Sequence, residues 1–503
     1  MFYTLNHIEE LLPEHVGGKA ANLNHMIRSG FNVPYGFVAG TQWSHSKDFE
    51  RGASFSDGDN FASYLHSYIR WLAQITKTEW CGSGSSYGNG PLVVSVRSGA
   101  PISMPGMMDT ILNIGITKNN IKDFVTANNS TMTFGLDCYR RLIQMYGSTV
   151  KDIPLTEFTS IYDAALTFWG TLDEEAYNIV IDFYEKIYKK HTGETFPDDP
   201  SEQLLQACNA VFKSWFSEKA KSYREIEGID EKMGTAVTVQ KMVFGNLNDQ
   251  SATGVVFTHD PNTGIKGWYG DYLKSAQGED VVAGTHKVIP IRNILSDQSV
   301  SSAGIKLQQV IGKLYQMNRD ILDIEFTIEN GELYILQYRV AKRSRGASVR
   351  NIIDMTRDGE ISSEEATKRF LNMLPETESG DKDPGDLILL GKGLGATEGV
   401  VVAKIAIGHK QADKFHKNGE KYVYVAKETA PDDVTQMKNA AGILTALGGS
   451  VSHAVVVARA WNKTCVVGFS KIMIEDDHFT CGGNVFKNGD LIKINGSSGE
   501  VWA

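Results

Sequence analysis

The spacing of hydrophobic and polar positions changes several times along the chain, and the changes mark out its organisation. Residues 1 to about 115 mix short β-like runs with turn signals, the clearest being Phe37-Val38-Ala39 and Leu92-Val93-Val94-Ser95-Val96. Between them Gly82-Ser83-Gly84-Ser85-Ser86-Tyr87-Gly88-Asn89-Gly90 has the composition of a surface loop. From 116 to 230 glycine thins out and helical spacing takes over, as in Tyr139–Tyr146 and Ala176–Tyr184. This stretch reads as a helical insertion that packs and positions. From 231 to 345 alternation returns in Ala236–Gln240, Gly254–Phe257, Ile324–Ile328 and Leu333–Gln337, with Glu329-Asn330-Gly331-Glu332 as a hairpin turn between the last two. A charged, largely helical stretch follows to about 375, and Glu376–Asp386 has linker composition. Residues 389–503 read as a glycine-rich α/β unit. No internal repeat is apparent.

Composition narrows the function classes. A chain of 503 residues predicts two to four domains. The net charge of −10 argues against a general nucleic-acid binder, which needs a basic face, but leaves room for a nucleotide held by a few local cations. No stretch approaches the roughly 18 to 20 apolar residues of a membrane span, and Met1-Phe2-Tyr3-Thr4-Leu5 lacks the basic-then-apolar pattern of a signal peptide. The five cysteines are scattered and form no CxxC pair, as expected of reduced, mostly buried thiols in a cytoplasmic protein.

Five motifs carry candidate chemistry. In Leu447-Gly448-Gly449-Ser450-Val451-Ser452-His453-Ala454-Val455-Val456-Val457-Ala458-Arg459 two glycines permit a tight turn, and Ser452 is a good N-cap for the apolar helix that follows. His453 then falls in the first helical turn, where the dipole favours an anion, and a neutral imidazole is nucleophilic near pH 7. In Val16-Gly17-Gly18-Lys19-Ala20-Ala21-Asn22-Leu23 a lysine beside two glycines can pair with phosphate oxygens. In Val94-Ser95-Val96-Arg97-Ser98-Gly99-Ala100, continuing through Ser103-Met104-Pro105-Gly106-Met107-Met108-Asp109-Thr110, an arginine at a strand end can hold a phosphate bidentately. The Gly106-Met107-Met108 turn within it could serve as a flap. A fourth group comprises Val239–Asn246, Ala252–Pro261 and Ala276–Gly284. The fifth is Asp323-Ile324-Glu325-Phe326, followed by Leu336-Gln337-Tyr338-Arg339. Strand alternation places Asp323 and Glu325 on one face, where two carboxylates suit Mg²⁺.

Together these motifs resemble, in order, the pyruvate, phosphate dikinase and phosphoenolpyruvate synthase family. The resemblance covers the first 340 residues and the last 110. It implies an α/β (α+β multidomain) fold: an ATP-grasp domain formed by 1–115 and 231–345, interrupted by the helical insertion 116–230, then a linker at 346–388 and a swivelling phosphohistidine domain at 389–503. It implies that His453 takes the β-phosphate of ATP and releases AMP. It further implies that Lys19, Arg97 and Arg339 hold phosphates, with Lys19 and Arg97 assisting catalysis. Gln240, Met242, Thr253, Gly254 and Glu279 would line the nucleotide site, and Asp323, Glu325 and Gln337 would bind Mg²⁺. The family signature has Met where Ser450 stands and Thr where Val451 stands. Plant members are regulated by phosphorylating that Thr, a device Val451 does not allow. His259 replaces a common arginine, which removes the expected phosphate contact there. The family's pyruvate-binding barrel would begin where this sequence ends, so the expected acceptor, pyruvate or another molecule, sits on a separate barrel protein. The alternatives are a phosphohistidine kinase for another small molecule, for which the gap from about 341 to 388 is too short to hold an acceptor domain, and a non-catalytic ATP-binding regulator, against which the retained chemical residues argue.

Overall fold

The N-terminal strand β1 (Phe2–Thr4) pairs antiparallel with β2 (Gly36–Ala39), and together with β3 (Val94–Gly99), β4 (Thr110–Ile114) and β5 (Ala236–Lys241) forms a sheet of order β1-β2-β5-β3-β4. All of its pairings are antiparallel. The computed structural model describes residues 1–45, 60–80, 89–102, 104, 110–283, 288–372 and 387–503. Most of the Gly82–Gly90 loop, the Gly106-Met107-Met108 turn and the polar segment Glu376–Asp386 lie outside the described residues. The chain divides into two compact units, one of Met1–Asn248 with Tyr334–Leu336, the other of Asp249–Leu333 with Gln337–Ala503.

In the first unit, α1 (Pro13–Arg28) begins with proline, whose missing N–H is no loss at a helix start. It buries Val16, Ala20, Leu23 and Met26. Helices α2 (Asn60–Thr76), α3 (Ile121–Ala127), α4 (Met132–Val150), α5 (Leu155–Trp169), α6 (Glu174–Thr192), α7 (Pro200–Ser214) and α8 (Glu218–Glu227) follow among the strands. Phe61 of α2, Leu142 and Tyr146 of α4, Tyr184 of α6 and Phe212 of α7 share one core with Val94, Val96, Val237 and Val239 of the sheet. The helices between β4 and β5 are therefore part of that core. Asp137 in α4 bridges Arg140 and Arg141 at 2.8 Å each. Burial pushes its carboxyl up, but the two guanidiniums outweigh it and hold the pKa at about 2.

The second unit contains an antiparallel sheet of order β10-β9-β6-β7-β8, from β6 (Ala252–His259), β7 (Lys266–Lys274), β8 (Ile289–Pro290), β9 (Leu322–Glu329) and β10 (Glu332–Val340). Asn330 (φ 47°) and Gly331 (φ 78°) make the left-handed turn expected between the last two strands. Helices α9 (Gly278–Ala283), α10 (Ser301–Asn318), α11 (Arg345–Arg357) and α12 (Ser363–Leu371) accompany it.

The same unit holds an eight-stranded sheet of β11 (Leu389–Lys392), β12 (Leu394–Gly395), β13 (Val400–Ile407), β14 (Tyr422–Ala426), β15 (Gly442–Thr445), β16 (Thr464–Val467), β20 (Leu491–Asn495) and β21 (Glu500–Trp502). Strands β17 (Met473–Ile474), β18 (His478–Cys481) and β19 (Asn484–Lys487) form a small sheet of their own. The run β13-β14-β15-β16 is parallel, with α13 (His409–Lys417), α14 (Val434–Asn439) and α15 (His453–Ala460) as crossovers. One face buries Ala406, Tyr424, Ile443 and Cys465 with Val455 and Ala458 of α15. The other buries Ile405, Val423, Leu444 and Val466 with Phe479 and Ile492. Continuous apolar strands covered on both faces are what a parallel sheet requires. Cys138, Cys208, Cys465 and Cys481 are buried thiols outside any disulfide. Among the described residues no helix is long and apolar enough to cross a membrane.

Candidate functional site

In the first unit the glycine-lysine turn and the arginine strand meet. Gly17 breaks the helical path at φ 74°, ψ 155°. A β-carbon there would fall 1.8 Å from Gly99 O, so only glycine permits this approach. Gly18 N then donates to Ala100 O at 3.0 Å. The result sets Lys19, half-buried on α1, against Gly99, two residues along β3 from the half-buried Arg97. Arg97 Nη1 donates to the Leu336 carbonyl at 3.3 Å. Gln240 and Met242 are buried. The Gln240 amide donates to Pro34 O at 3.0 Å, which ties that side chain to the backbone, and Met242 belongs to the hydrophobic core.

In the second unit Asp323 lies across from Phe257, and Glu325 across from Val255. Directly opposed residues share a face, so both carboxylates stand on the face that carries Phe257 and Val255. Arg339 Nε donates to Asp323 Oδ2 at 2.8 Å. Burial raises the Asp323 carboxyl, and Arg339 offsets this only in part. The other oxygen, Oδ1, is buried and has no hydrogen-bond partner among the described residues. Among those residues no group of three or more acidic, histidine or cysteine side chains converges as a metal cage. A buried carboxylate with an unmatched oxygen beside a second carboxylate fits an ion such as Mg²⁺, which keeps waters and phosphate oxygens as its other ligands. Gln337 is buried one residue beyond Leu336. Thr253 Oγ1 donates to Phe326 O at 3.2 Å. Gly254 packs so tightly that a β-carbon would lie 2.7 Å from the Phe326 ring. Glu279 is half-buried in the first turn of α9. His259 is buried, touches Thr258 Oγ1 through Nδ1 at 3.0 Å, and lies 4.9 Å from the Tyr315 ring. Burial, then Lys266, push its pKa down to about 4, so it is a neutral packing residue.

The third element is the histidine turn. It leaves the carboxyl end of β15 and enters α15, whose first residue is His453. Gly448 adopts φ 113°. Ser452 stands at the N-cap with extended backbone, but its hydroxyl makes no capping hydrogen bond, contrary to the sequence expectation. The Oγ is turned back against Gly448, where a β-carbon would come within 3.0 Å of it. His453 is half-buried, and its Nδ1 is in hydrogen-bond contact with Thr429 Oγ1 at 3.1 Å. Thr429 follows β14, the parallel neighbour of β15, so both residues emerge at the same carboxyl edge of the sheet, where open α/β sheets place ligands.

The turn is seated on the sheet that carries the carboxylates. Val451 is buried in a cluster with Val255, Phe257 and Leu273. Ser450 Oγ donates to Asp271 Oδ2 at 2.6 Å. Arg459, at the far end of α15, is buried, and burial lowers its pKa. It braces the turn by donating to Ser450 O at 3.0 Å and reaches Asn262 Oδ1 at 3.2 Å. Sequence reasoning did not single out Thr429 or Asp271. Each comes from a separate strand, and its one visible signal is a polar residue within or just after a β-run.

The chain matches the pyruvate phosphate dikinase AMP/ATP-binding domain over residues 76–303 and the mobile domain of PEP-utilising enzymes over 419–499. It is 39% identical to pyruvate, phosphate dikinase of Giardia intestinalis across 98% of its own length and 56% of that protein. It is 37% identical to the Clostridium symbiosum enzyme across 97% of the chain and 56% of the relative. With pyruvate, phosphate dikinase 2 of Zea mays the identity is 38%, across 97% and 55%. The chain thus spans about half the length of the curated relatives it matches. The chain carries both of these domains, the AMP/ATP-binding domain described for pyruvate phosphate dikinase and the mobile domain described for PEP-utilising enzymes.

Proposed function

We propose that the chain is an ATP-dependent phosphotransferase in which His453 attacks the β-phosphorus of ATP and passes a phosphoryl group on. One observation carries this reading. The histidine turn rests, through Val451, on the sheet face that bears Asp323 and Glu325. That places a nucleophile and a carboxylate pair suited to a phosphate-bound cation on one surface.

Attack by His453 Nε2 forms a nitrogen–phosphorus bond and breaks the bond from the β-phosphorus to the oxygen bridging it to the α-phosphate. That oxygen leaves with its electron pair on AMP. The γ-phosphoryl group then departs to orthophosphate or water, and the β-phosphoryl group remains on the ring. Thr429 accepts the Nδ1 proton in a hydrogen bond, which fixes the tautomer with its lone pair on Nε2 and steadies the charge that the ring gains during attack. Lys19, Arg97 and Arg339 bind phosphate oxygens. Gln240, Met242, Thr253, Gly254 and Glu279 line the nucleotide site. Asp323, Glu325 and Gln337 would hold Mg²⁺, which when bound neutralises phosphate charge. The acceptor is pyruvate, bound outside these residues. The relatives' names support that choice. The domain of residues 389–503 swivels between the two sites, and the protein works in the cytoplasm.

Incubation with Mg²⁺ and β-labelled ATP should place an acid-labile label on the parent protein and none on His453→Ala. Equal labelling of that variant would remove His453 from the reaction.

A further inference from the structure

The contact between Ser450 and Asp271 has no place in the chemistry above, yet it joins the histidine turn to the ATP-grasp sheet. Ser450 is buried, and its hydroxyl donates to Asp271 Oδ2 at 2.6 Å. Gly449 stands beside the same carboxylate, since a β-carbon on it would lie 3.8 Å from Oδ2. Asp271 lies on β7 directly across from Val255, which is itself across from Glu325 on β9. Glu325, Val255 and Asp271 therefore form one cross-strand row on one face. Asp271 is two strand spacings, about 10 Å, from Glu325. Val451, one residue beyond Ser450, buries itself against Val255 and Phe257 of that face. His453 follows two residues later.

We propose that Asp271 is a positioning residue: it holds the turn through Ser450 and so sets His453 in register with the carboxylate pair for attack on ATP. A second tether supports the geometry without replacing this one. Arg459 donates to Asn262 Oδ1 at 3.2 Å, and its guanidinium lies 5.7 Å from the Phe257 ring centre. Arg459 acts on the helix end, whereas Ser450 fixes the turn itself. The two residues of the contact lie far apart in sequence, so only the fold brings them together. An apolar side chain at that position would leave the Asp271 carboxylate without this donor.

The inference rests on the proposed phosphotransfer, and its test therefore has two arms. The first does not depend on catalysis. Val451→Cys is introduced alone and together with Asp271→Ala or Ser450→Ala, and peptide-resolved modification by a small thiol reagent reports how often the turn leaves the sheet. A hydrogen bond to a carboxylate predicts roughly tenfold faster modification of the introduced thiol in either latch variant. The second arm measures single-turnover labelling by β-labelled ATP. Asp271→Ala and Ser450→Ala should each lower the rate roughly tenfold with ATP affinity unchanged, and the double variant should be no slower than either single one. Modification and labelling rates both at the parental level would overturn the proposal, as would fully additive losses in the double variant. If no form of the protein takes label, the phosphotransfer reading fails, while the modification arm still decides whether the latch exists.

Discussion

Thr429→Val removes a single hydroxyl from the histidine turn and keeps the side-chain shape. In the resting protein Thr429 Oγ1 and His453 Nδ1 are 3.1 Å apart, and both residues are half-buried. A neutral hydrogen bond in such a setting contributes about 0.5 to 1.5 kcal/mol, so stability should fall by roughly 1 kcal/mol or less. The transition state asks more of it. As Nε2 bonds to phosphorus the ring gains positive charge, Nδ1–H becomes more acidic, and the contact becomes charge-assisted, worth about 1.5 to 3 kcal/mol. The rate of histidine labelling should therefore fall by the difference, about 1 to 1.5 kcal/mol or roughly 5- to 12-fold. ATP affinity should not change, because Thr429 acts on the nucleophile and not on the nucleotide. Quench-flow labelling at saturating β-labelled ATP separates the two effects, and Thr429→Ser should restore most of the rate. A valine variant that labels at the parental rate, or one whose whole defect is weaker ATP binding, would refute the assignment of Thr429 as the group that orients His453.

Other substitutions probe the remaining parts. Arg97→Ala and Glu325→Ala should each slow labelling by at least about 100-fold, since charge stabilisation at a transferring phosphoryl group is worth several kcal/mol, while circular dichroism stays unchanged. Gly17→Ala forces a β-carbon to 1.8 Å from Gly99 O at a backbone φ of 74°, and should destabilise the first unit by about 2 to 4 kcal/mol, read as a lowered unfolding midpoint. His259 titrates at about 4 in the fold, against an ordinary value of 6.5. Its depressed pKa means the unfolded chain takes up the proton first. The stability that neutral His259 provides is therefore complete above pH 6.5 and is lost as pH falls towards 4, at a cost of roughly 2 to 3 kcal/mol. Urea unfolding between pH 7 and 4 should show this slope flattened in His259→Asn, and an identical slope in both proteins would contradict the account.

What the sequence could disclose followed from how far apart the cooperating residues lie. The Asn330-Gly331 turn was readable because its chemistry is local: two adjacent residues must adopt positive φ, and these two do. The start of α15 at His453 was likewise local, though Ser452 sits at the cap without using its hydroxyl, because the Gly448 turn draws that oxygen backwards. The shared face of Asp323 and Glu325 came from alternation alone. The ion pair from Arg339 to Asp323 did not, since it depends on how β9 and β10 pair. Thr429 and Asp271 were out of reach for the same reason on a larger scale. One arrives at His453 through parallel strand order, the other through packing of two sheets, and neither leaves a local pattern. The Gly17–Gly99 approach shows the intermediate case: both glycines were in recognised motifs, but only the fold reveals that the motifs exist to touch each other.

The central claim, transfer of the β-phosphoryl group to His453, is tested most directly by following both halves of ATP in one turnover. Protein, Mg²⁺ and orthophosphate are mixed with ATP labelled at the α- or the β-position, and the nucleotide product and the labelled peptide are identified under alkaline conditions that preserve phosphohistidine. The account predicts one AMP for each β-label bound, with the label on the peptide that contains His453. ADP as the nucleotide product, or β-label on any other residue, would contradict it.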